Sequence, residues 1–298
     1  MTHVATLVAN PAQRMPDDVA RRAADALPGA GAAAWLDPGI AVDIRFTPAG
    51  ETDNRILSDR VRAALGGAPV DVVVQKAAGR RKRLFLADMD STMIGQECVD
   101  ELADFVGQKA RVAAITERAM RGEIEFAPAL RERVALLKGL PVSVVDEVLK
   151  DRITLTPGGR ELVATMRAHG AWTCLISGGF TLFTNAVADM IGFQENRANQ
   201  LAVEDGKLTG EVTEPILGRA AKLATLIELR ETFDLDNIDT LVVGDGANDL
   251  GMIESAGLGV AYHAKPAVAA AAAARIDYGD LTALLYAQGY RREEFLGG

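Results

Sequence analysis

At 298 residues the chain has room for about two domains of roughly 100–200 residues each. Its 49% hydrophobic and 24% charged content is that of an ordinary globular protein with a large core. A net charge of −9, from 41 acidic and 32 basic residues, argues against a general nucleic-acid binder, whose binding face would be basic. An anionic substrate stays open, because screening beyond roughly 8 Å leaves that choice to a few local cations.

Residues 1–80 read as a small domain of their own. A strand is predicted over 4–9 and a helix over 16–27, with Asp17 and Asp18 suiting its positive end. Strands over 32–36 and 40–46 flank the turn signal Asp37-Pro38-Gly39. A helix follows over 53–65, with Ile56, Leu57, Val61 and Leu65 at helical spacing, and then a strand over 70–74. The order βαββαβ is ferredoxin-like, and no catalytic constellation falls in this segment. The basic run Gly79-Arg80-Arg81-Lys82-Arg83 reads as a solvated junction rather than a nucleic-acid patch.

From residue 84 onward, in a second domain over 81–298, strands alternate with helices. That pattern implies an α/β core with a parallel, Rossmann-like sheet covered by helices on both faces. Strand candidates at 84–87, 172–176 and 241–243 each end in a polar loop. The mostly helical stretch at about 95–155 is too long for a simple crossover and reads as an inserted cap. Asp205-Gly206 marks a hairpin turn. Cys98 and Cys174 lie far apart in no CxxC spacing, which implies buried thiols in a reducing cytosol. The Ala-rich run 267–274 is too short to span a bilayer, and the first residues lack a signal-peptide pattern. A cytoplasmic protein with no membrane partner is therefore expected.

The chemistry concentrates at the strand ends. Asp88 and Asp90 follow the first apolar strand, where open α/β sheets bind ligands. Two carboxylates there could be a nucleophile, a proton shuttle and a Mg²⁺ site, or only an acidic turn. Ser177-Gly178-Gly179 after the second strand offers a hydroxyl and free N–H groups to an anion, and is equally an ordinary loop. Lys222 sits in a helical run, where most lysines face solvent. Gly244-Asp245-Gly246-Ala247-Asn248-Asp249 supplies two more acids, among glycines that let the backbone approach a ligand.

Taken in order, Asp-x-Asp-x-Thr, Ser, Lys and Gly-Asp-Gly-x-Asn-Asp resemble the haloacid dehalogenase superfamily of phosphatases. Glu97, Phe126, Arg133, Ser177-Gly178-Gly179-Phe180, Asn196-Arg197-Ala198-Asn199 and Asp205-Gly206-Lys207-Leu208-Thr209-Gly210 bring the resemblance to its phosphoserine phosphatase family. That resemblance implies Mg²⁺-dependent hydrolysis of O-phospho-L-serine, the last step of L-serine biosynthesis, through an aspartyl phosphate. It makes Asp88 the nucleophile and Asp90 the proton shuttle. Mg²⁺ falls to Asp88, Asp245 and the main-chain carbonyl of Asp90, with Asp249 supporting them. Ser177, Gly178 and Lys222 hold the phosphoryl oxygens, and Asn248 touches substrate or phosphate. In the cap, Glu97 pairs the substrate's ammonium, Arg133 its carboxylate, and Phe126 covers its stem. Read without the resemblance, Arg133 would be a surface charge paired with Glu132 or Glu125.

Two alternatives accompany this reading. One is a related phosphatase or phosphotransferase acting on another small amino-acid phosphate. The other is a regulatory, amino-acid-binding role for residues 1–80, which resemble an ACT-like domain in element order only. A homodimer through residues 1–80 is likewise implied by resemblance alone.

Overall fold

The structure, a computed structural model, describes residues 1–50 and 53–297. The first elements are β1 (His3–Ala9), α1 (Val19–Asp25), β2 (Ala33–Asp37), β3 (Ala41–Phe46), α2 (Asn54–Ala64) and β4 (Val70–Lys76). Their strands form an antiparallel sheet in the order β2-β3-β1-β4, the ferredoxin-like arrangement that βαββαβ connectivity predicts. The expected start of α2 at Asp53 is its cap: the Asp53 side chain accepts from Arg55 N.

Helices α1 and α2 bury one face of this sheet through Val19, Ala23, Leu57 and Val61. Antiparallel sheets often leave their second face wet. Here Val8, Leu36, Ala41 and Val73 on that face join the main core of the molecule.

The larger unit starts with β5 (Leu84–Ala87) and a wide turn over Met89–Met93. Four helices follow: α3 (Cys98–Asp104), α4 (Lys109–Met120), α5 (Phe126–Ala135) and α6 (Val144–Asp151). The chain re-enters the core through an antiparallel bridge between Ile94 and Leu155. Then come α7 (Gly159–Ala168), β6 (Trp172–Phe180), α8 (Thr181–Ile191), β7 (Glu195–Asn199) and the hairpin β8 (Leu201–Glu204) and β9 (Lys207–Val212). The chain ends with α9 (Arg219–Thr232), β10 (Thr240–Gly244), α10 (Leu250–Ser255), β11 (Leu258–Tyr262), α11 (Pro266–Ala271), β12 (Ala274–Ile276) and α12 (Ala283–Ala287).

Six parallel strands form the central sheet in the order β12-β11-β10-β5-β6-β7. Alternate residues of β5 serve opposite faces. Phe85 and Ala87 pack with α7 and α8, whereas Leu84 and Leu86 pack with α9 and α10. From β5 the chain winds outward through β6 and β7, then returns to β10 and winds the other way. The topological switch point therefore lies between β5 and β10, and ligands of such sheets bind beyond the strand ends at that point. Among the described residues no helix is long and apolar enough to cross a membrane.

The basic run is not a solvated junction. Arg80 is 9% exposed and Lys82 5%. The Arg80 guanidinium pairs with Asp43 of β3 at 2.6 Å and donates to Thr6 and to the carbonyls of Tyr286 and Ala287. Lys82 donates to the Gly79 and Ile238 carbonyls at 3.0 and 2.7 Å. Consecutive cations read as solvated only while their partners are unknown; here the partners are carbonyls and an acid distant in sequence. Arg81, by contrast, is exposed and meets Glu294 and the Tyr290 ring.

Asp71 fastens the same junction by accepting from the main-chain N–H groups of Asp277, Tyr278 and Gly279. Removing one partner of a buried ion pair strands the other, so Arg80→Ala should lower the unfolding free energy by about 3–5 kcal/mol. Arg81→Ala, at an exposed pair, should cost under about 1 kcal/mol. Urea denaturation of the two variants side by side measures the contrast.

Candidate active site

Asp88 directly follows β5, with its N–H bonded to the Val243 carbonyl of β10. Its carboxylate is 3% exposed and accepts from Met89 N at 2.7 Å and from Lys222 Nζ at 2.8 Å. Lys222 is wholly buried, because α9 turns Lys222, Leu226 and Leu229 onto the sheet as one face. Its ammonium also reaches Asp249 Oδ1 at 2.7 Å. Burial works against that charge, but Asp249 and Asp88 outweigh it and raise the lysine pKa.

The carboxylates of Asp88, Asp245 and Asp249 converge within 4.8 Å of one another. Burial first, and then mutual repulsion, pushes the Asp245 carboxyl well above its usual range and that of Asp249 up to about 7. Asp249 also accepts from Gly246 N at 3.1 Å, and Thr92 donates to Asp245 at 3.3 Å. With all three acids ionised, one ammonium would not balance them, and surplus negative charge would fall on hard oxygen donors. That is the donor set a Mg²⁺ ion takes.

Asp90 follows in the wide turn. Its Oδ1 accepts from Cys98 N at 3.1 Å, and the Ser177 hydroxyl lies 3.5 Å from its Oδ2. Burial, reinforced by Asp88, pushes the Asp90 carboxyl up to about 6. Such a group can both give and take a proton near neutral pH. Ser91 takes a left-handed conformation, φ 55°, and aims its hydroxyl at Glu97 Oε1, 2.6 Å away. Strained non-glycine residues of this kind collect at functional sites.

Beyond these groups opens a cavity of about 370 Å³. Asp88, Asp90, Ser177 and Gly178 line its core end, and Glu97, Phe126 and Arg133 line its cap end, with Asn248 also on the wall. Lys222, Asp245 and Asp249 stand behind Asp88 rather than on the cavity surface. Among the described residues Asn248 Oδ1 is buried with no hydrogen-bond partner, an acceptor left for something in the cavity.

Arg133 is 5% exposed and pairs with neither Glu132 nor Glu125; Glu132 instead meets Arg111. Its Nε donates to the Ala129 carbonyl at 3.2 Å and its Nη1 to Thr116 at 3.0 Å. Burial pushes its pKa down, against the pull of Glu97, Asp100 and Asp90. Burial also raises the Glu97 carboxyl well above its usual range, with Asp90 and Asp245 adding to the effect.

The Ser-Gly-Gly segment belongs to the end of β6, and the helix after it starts only at Thr181. Its glycines are set by close approach. A Cβ on Gly178 would lie 2.7 Å from Phe126 Cζ, and one on Gly179 would lie 2.8 Å from Asp90 Oδ2. Asn199, 3% exposed, holds this segment by donating to the Gly178 and Leu217 carbonyls and accepting from Leu217 N. Sequence reasoning gave Asn199 and Ser91 no role. The signal was present in both: an amide ending a strand, and a hydroxyl between the paired acids and Glu97.

Residues 85–254 match the family model of haloacid dehalogenase-like hydrolases. The chain belongs to that family. Every residue singled out above for the site falls inside the matched segment. Within the haloacid dehalogenase-like hydrolases, a phosphoserine phosphatase of Polaromonas sp. is 46% identical over 208 residues, 68% of this chain and 88% of its own length. A solved structure described as a phospho-aspartyl intermediate analogue of phosphoserine phosphatase shares 39% identity at a TM-score of 0.66, over 69% of this chain and 98% of that one. A HAD family hydrolase from Salmonella enterica serovar Typhi is similar over 96% of this chain and 97% of its own, at a TM-score of 0.82 and 28% identity.

Gly179 tests the geometry without touching the core. A methyl group there would lie 2.8 Å from Asp90 Oδ2 and 3.0 Å from Ser177 Oγ, both side-chain atoms, so these groups must shift while the backbone stays in place. Gly179→Ala should lower kcat about 100-fold, the scale of a 1 Å misplacement of a reacting group. Thermal melting of the variant should stay close to wild type.

Proposed function

We propose that the protein hydrolyses O-phospho-L-serine to L-serine and phosphate through an aspartyl phosphate on Asp88, with residues 81–298 as the phosphatase domain, an inserted cap at about 95–155, and residues 1–80 as an ACT-like domain. The observation that carries this reading is the two-ended cavity. Acid chemistry lies at the core end, and at the cap end a buried guanidinium and carboxyl face the same space. The relative named phosphoserine phosphatase at 46% identity supports the same substrate.

Asp88 attacks phosphorus, and the bond from phosphorus to the serine oxygen breaks. Asp90 gives its proton to that oxygen, and serine leaves. Water then attacks the phosphoryl group, Asp90 takes the water's proton, and the bond to Asp88 breaks. An Asp90 carboxyl at about 6 suits both transfers. Lys222, Ser177 and the Gly178 N–H oppose the charge that gathers on the phosphoryl oxygens. Asp88, Asp245 and the Asp90 main-chain carbonyl would hold Mg²⁺, with Asp249 behind them. When bound, the ion would polarise a phosphoryl oxygen and relieve the surplus charge of the acids.

At the cap end Arg133 can pair a carboxylate through two parallel N–H bonds. Glu97 can take an ammonium, whose arrival would favour the ionised carboxylate. Phe126 covers the short stem between them and keeps water out.

Phosphate release from a panel of phosphoamino acids and sugar phosphates tests the substrate. The highest kcat/KM is expected on phosphoserine, and a higher value on a sugar phosphate would overturn the assignment. EDTA should abolish turnover and Mg²⁺ restore it. Multiple turnovers in ¹⁸O-water should place label in the released phosphate and leave Asp88 unlabelled, whereas borohydride added during turnover should reduce the aspartyl phosphate and convert Asp88 to homoserine, read by peptide mass spectrometry. An Asp88 that stays aspartate after borohydride trapping during turnover excludes the covalent route.

A further inference from the structure

The bonds that hold Arg133 lead to a residue with no role so far. Thr116, on α4, is 3% exposed and lines the cavity. A threonine hydroxyl has one proton to give and two lone pairs to accept with. This one accepts from Arg133 Nη1 at 3.0 Å. Its proton has two acceptors in reach: Asp100 Oδ1 at 2.8 Å and the Val112 carbonyl at 3.1 Å. Asp100 sits on α3 and Arg133 on α5, so three cap helices meet at this hydroxyl.

The arrangement keeps a carboxylate near the guanidinium without letting it bind. An acid placed directly on Arg133 would form the two-bond pair that a substrate carboxylate must form, and would compete with it. With the hydroxyl between them, Arg133 is aimed by neutral oxygens, those of Ala129 and Thr116, and its charge stays available. A guanidinium fixed at Nε and one Nη has lost its freedom to rotate before a ligand arrives, which lowers the cost of binding.

We propose that Thr116 is the positioning residue that sets the preference for phosphate monoesters bearing a carboxylate. The inference rests on the reading of Arg133 as the partner of the substrate's carboxylate. Steady-state kinetics on O-phospho-L-serine and on phosphoethanolamine, which keeps the phosphate and the ammonium but has no carboxylate, test it. Thr116→Val should lower kcat/KM for phosphoserine about tenfold, mainly through KM, as expected for a lost bond to a charged group. The phosphoethanolamine value should stay within about twofold, and Thr116→Ser should restore the wild-type ratio.

Thr116→Ala gives the same comparison should valine disturb the packing. In the Arg133→Met background Thr116→Val should add no further loss, because a residue acting through Arg133 has nothing left to position. Equal losses on the two esters, or additive losses in that background, would mean a merely structural role and overturn the proposal. If the wild type discriminates and Thr116→Val discriminates equally well, this proposal alone falls. If the wild type does not prefer phosphoserine, the reading of Arg133 falls and takes the proposal with it.

Discussion

The site depends on one buried ammonium. Lys222 has no exposed surface and stands between Asp88 and Asp249, 2.8 and 2.7 Å from each. Desolvating a charge costs several kcal/mol, and excellent pairing is needed to offset it. Removing the lysine would leave three carboxylates within 4.8 Å and no cation among them. The geometry of β5, β10 and α9 follows from meeting this demand. The switch point brings the ends of β5 and β10 side by side, and α9 lies across them with its lysine pointing down. Asp88, Asp245 and Asp249 can then be close while the charge stays partly balanced.

The cap meets this centre unevenly. On one side its loop after α5 forms main-chain bonds to the β8–β9 hairpin: Gly139 N to Leu208 O, Leu208 N to Leu140 O, and Val142 N to Gly206 O. On the other side the end of α4 reaches the core through the Glu117–Lys265 pair, at 3.0 Å and with both side chains about a third or more exposed. An ion pair of that kind is worth about 0–1 kcal/mol. Three main-chain bonds beside buried Leu140 and Leu208 hold far more firmly. The hairpin side is therefore the fixed edge of the cap and the α4 side the yielding one. Arg133, on α5, lies near the fixed edge, so its aim at the cavity survives small movements of α4 only as far as Thr116 moves with it.

Much of this was legible in the residues, because strand ends announce themselves. Leu84 to Ala87 is apolar without interruption and leads into Asp88 and Asp90, and apolar Leu241 to Val243 leads through Gly244 into Asp245. The Asp205-Gly206 turn gave the hairpin that straps the cap. Less was legible where the meaning of a residue lay in a distant partner. Lys222 shares a helix face with Leu226 and Leu229, a spacing visible in the sequence, yet only the acids across the sheet explain why a lysine belongs there. Arg80 and Lys82 looked solvated because Asp43 and the carbonyls of Ile238, Tyr286 and Ala287 are far away along the chain. Strands β11 and β12 went unread since glycine and alanine weaken their apolar signal.

The junction around Arg80 also changes what residues 1–80 mean for the rest. Their sheet buries Val8 and Val73 in the same core as Leu284 and Leu285 of α12. Gln75 donates to the Ala287 carbonyl at 2.6 Å, and Tyr286 donates to Asp37 at 2.7 Å. If the two parts separated, water could satisfy the polar groups, but α12 and the inner face of the sheet would expose contiguous apolar surface. Patches of that kind drive association rather than solubility. The N-terminal sheet is thus the missing wall of the α12 layer. Gly289, at φ 81°, has no Cβ because one would lie 2.9 Å from Arg80 Cζ, so even the turn after α12 is shaped to admit the arginine that closes this wall.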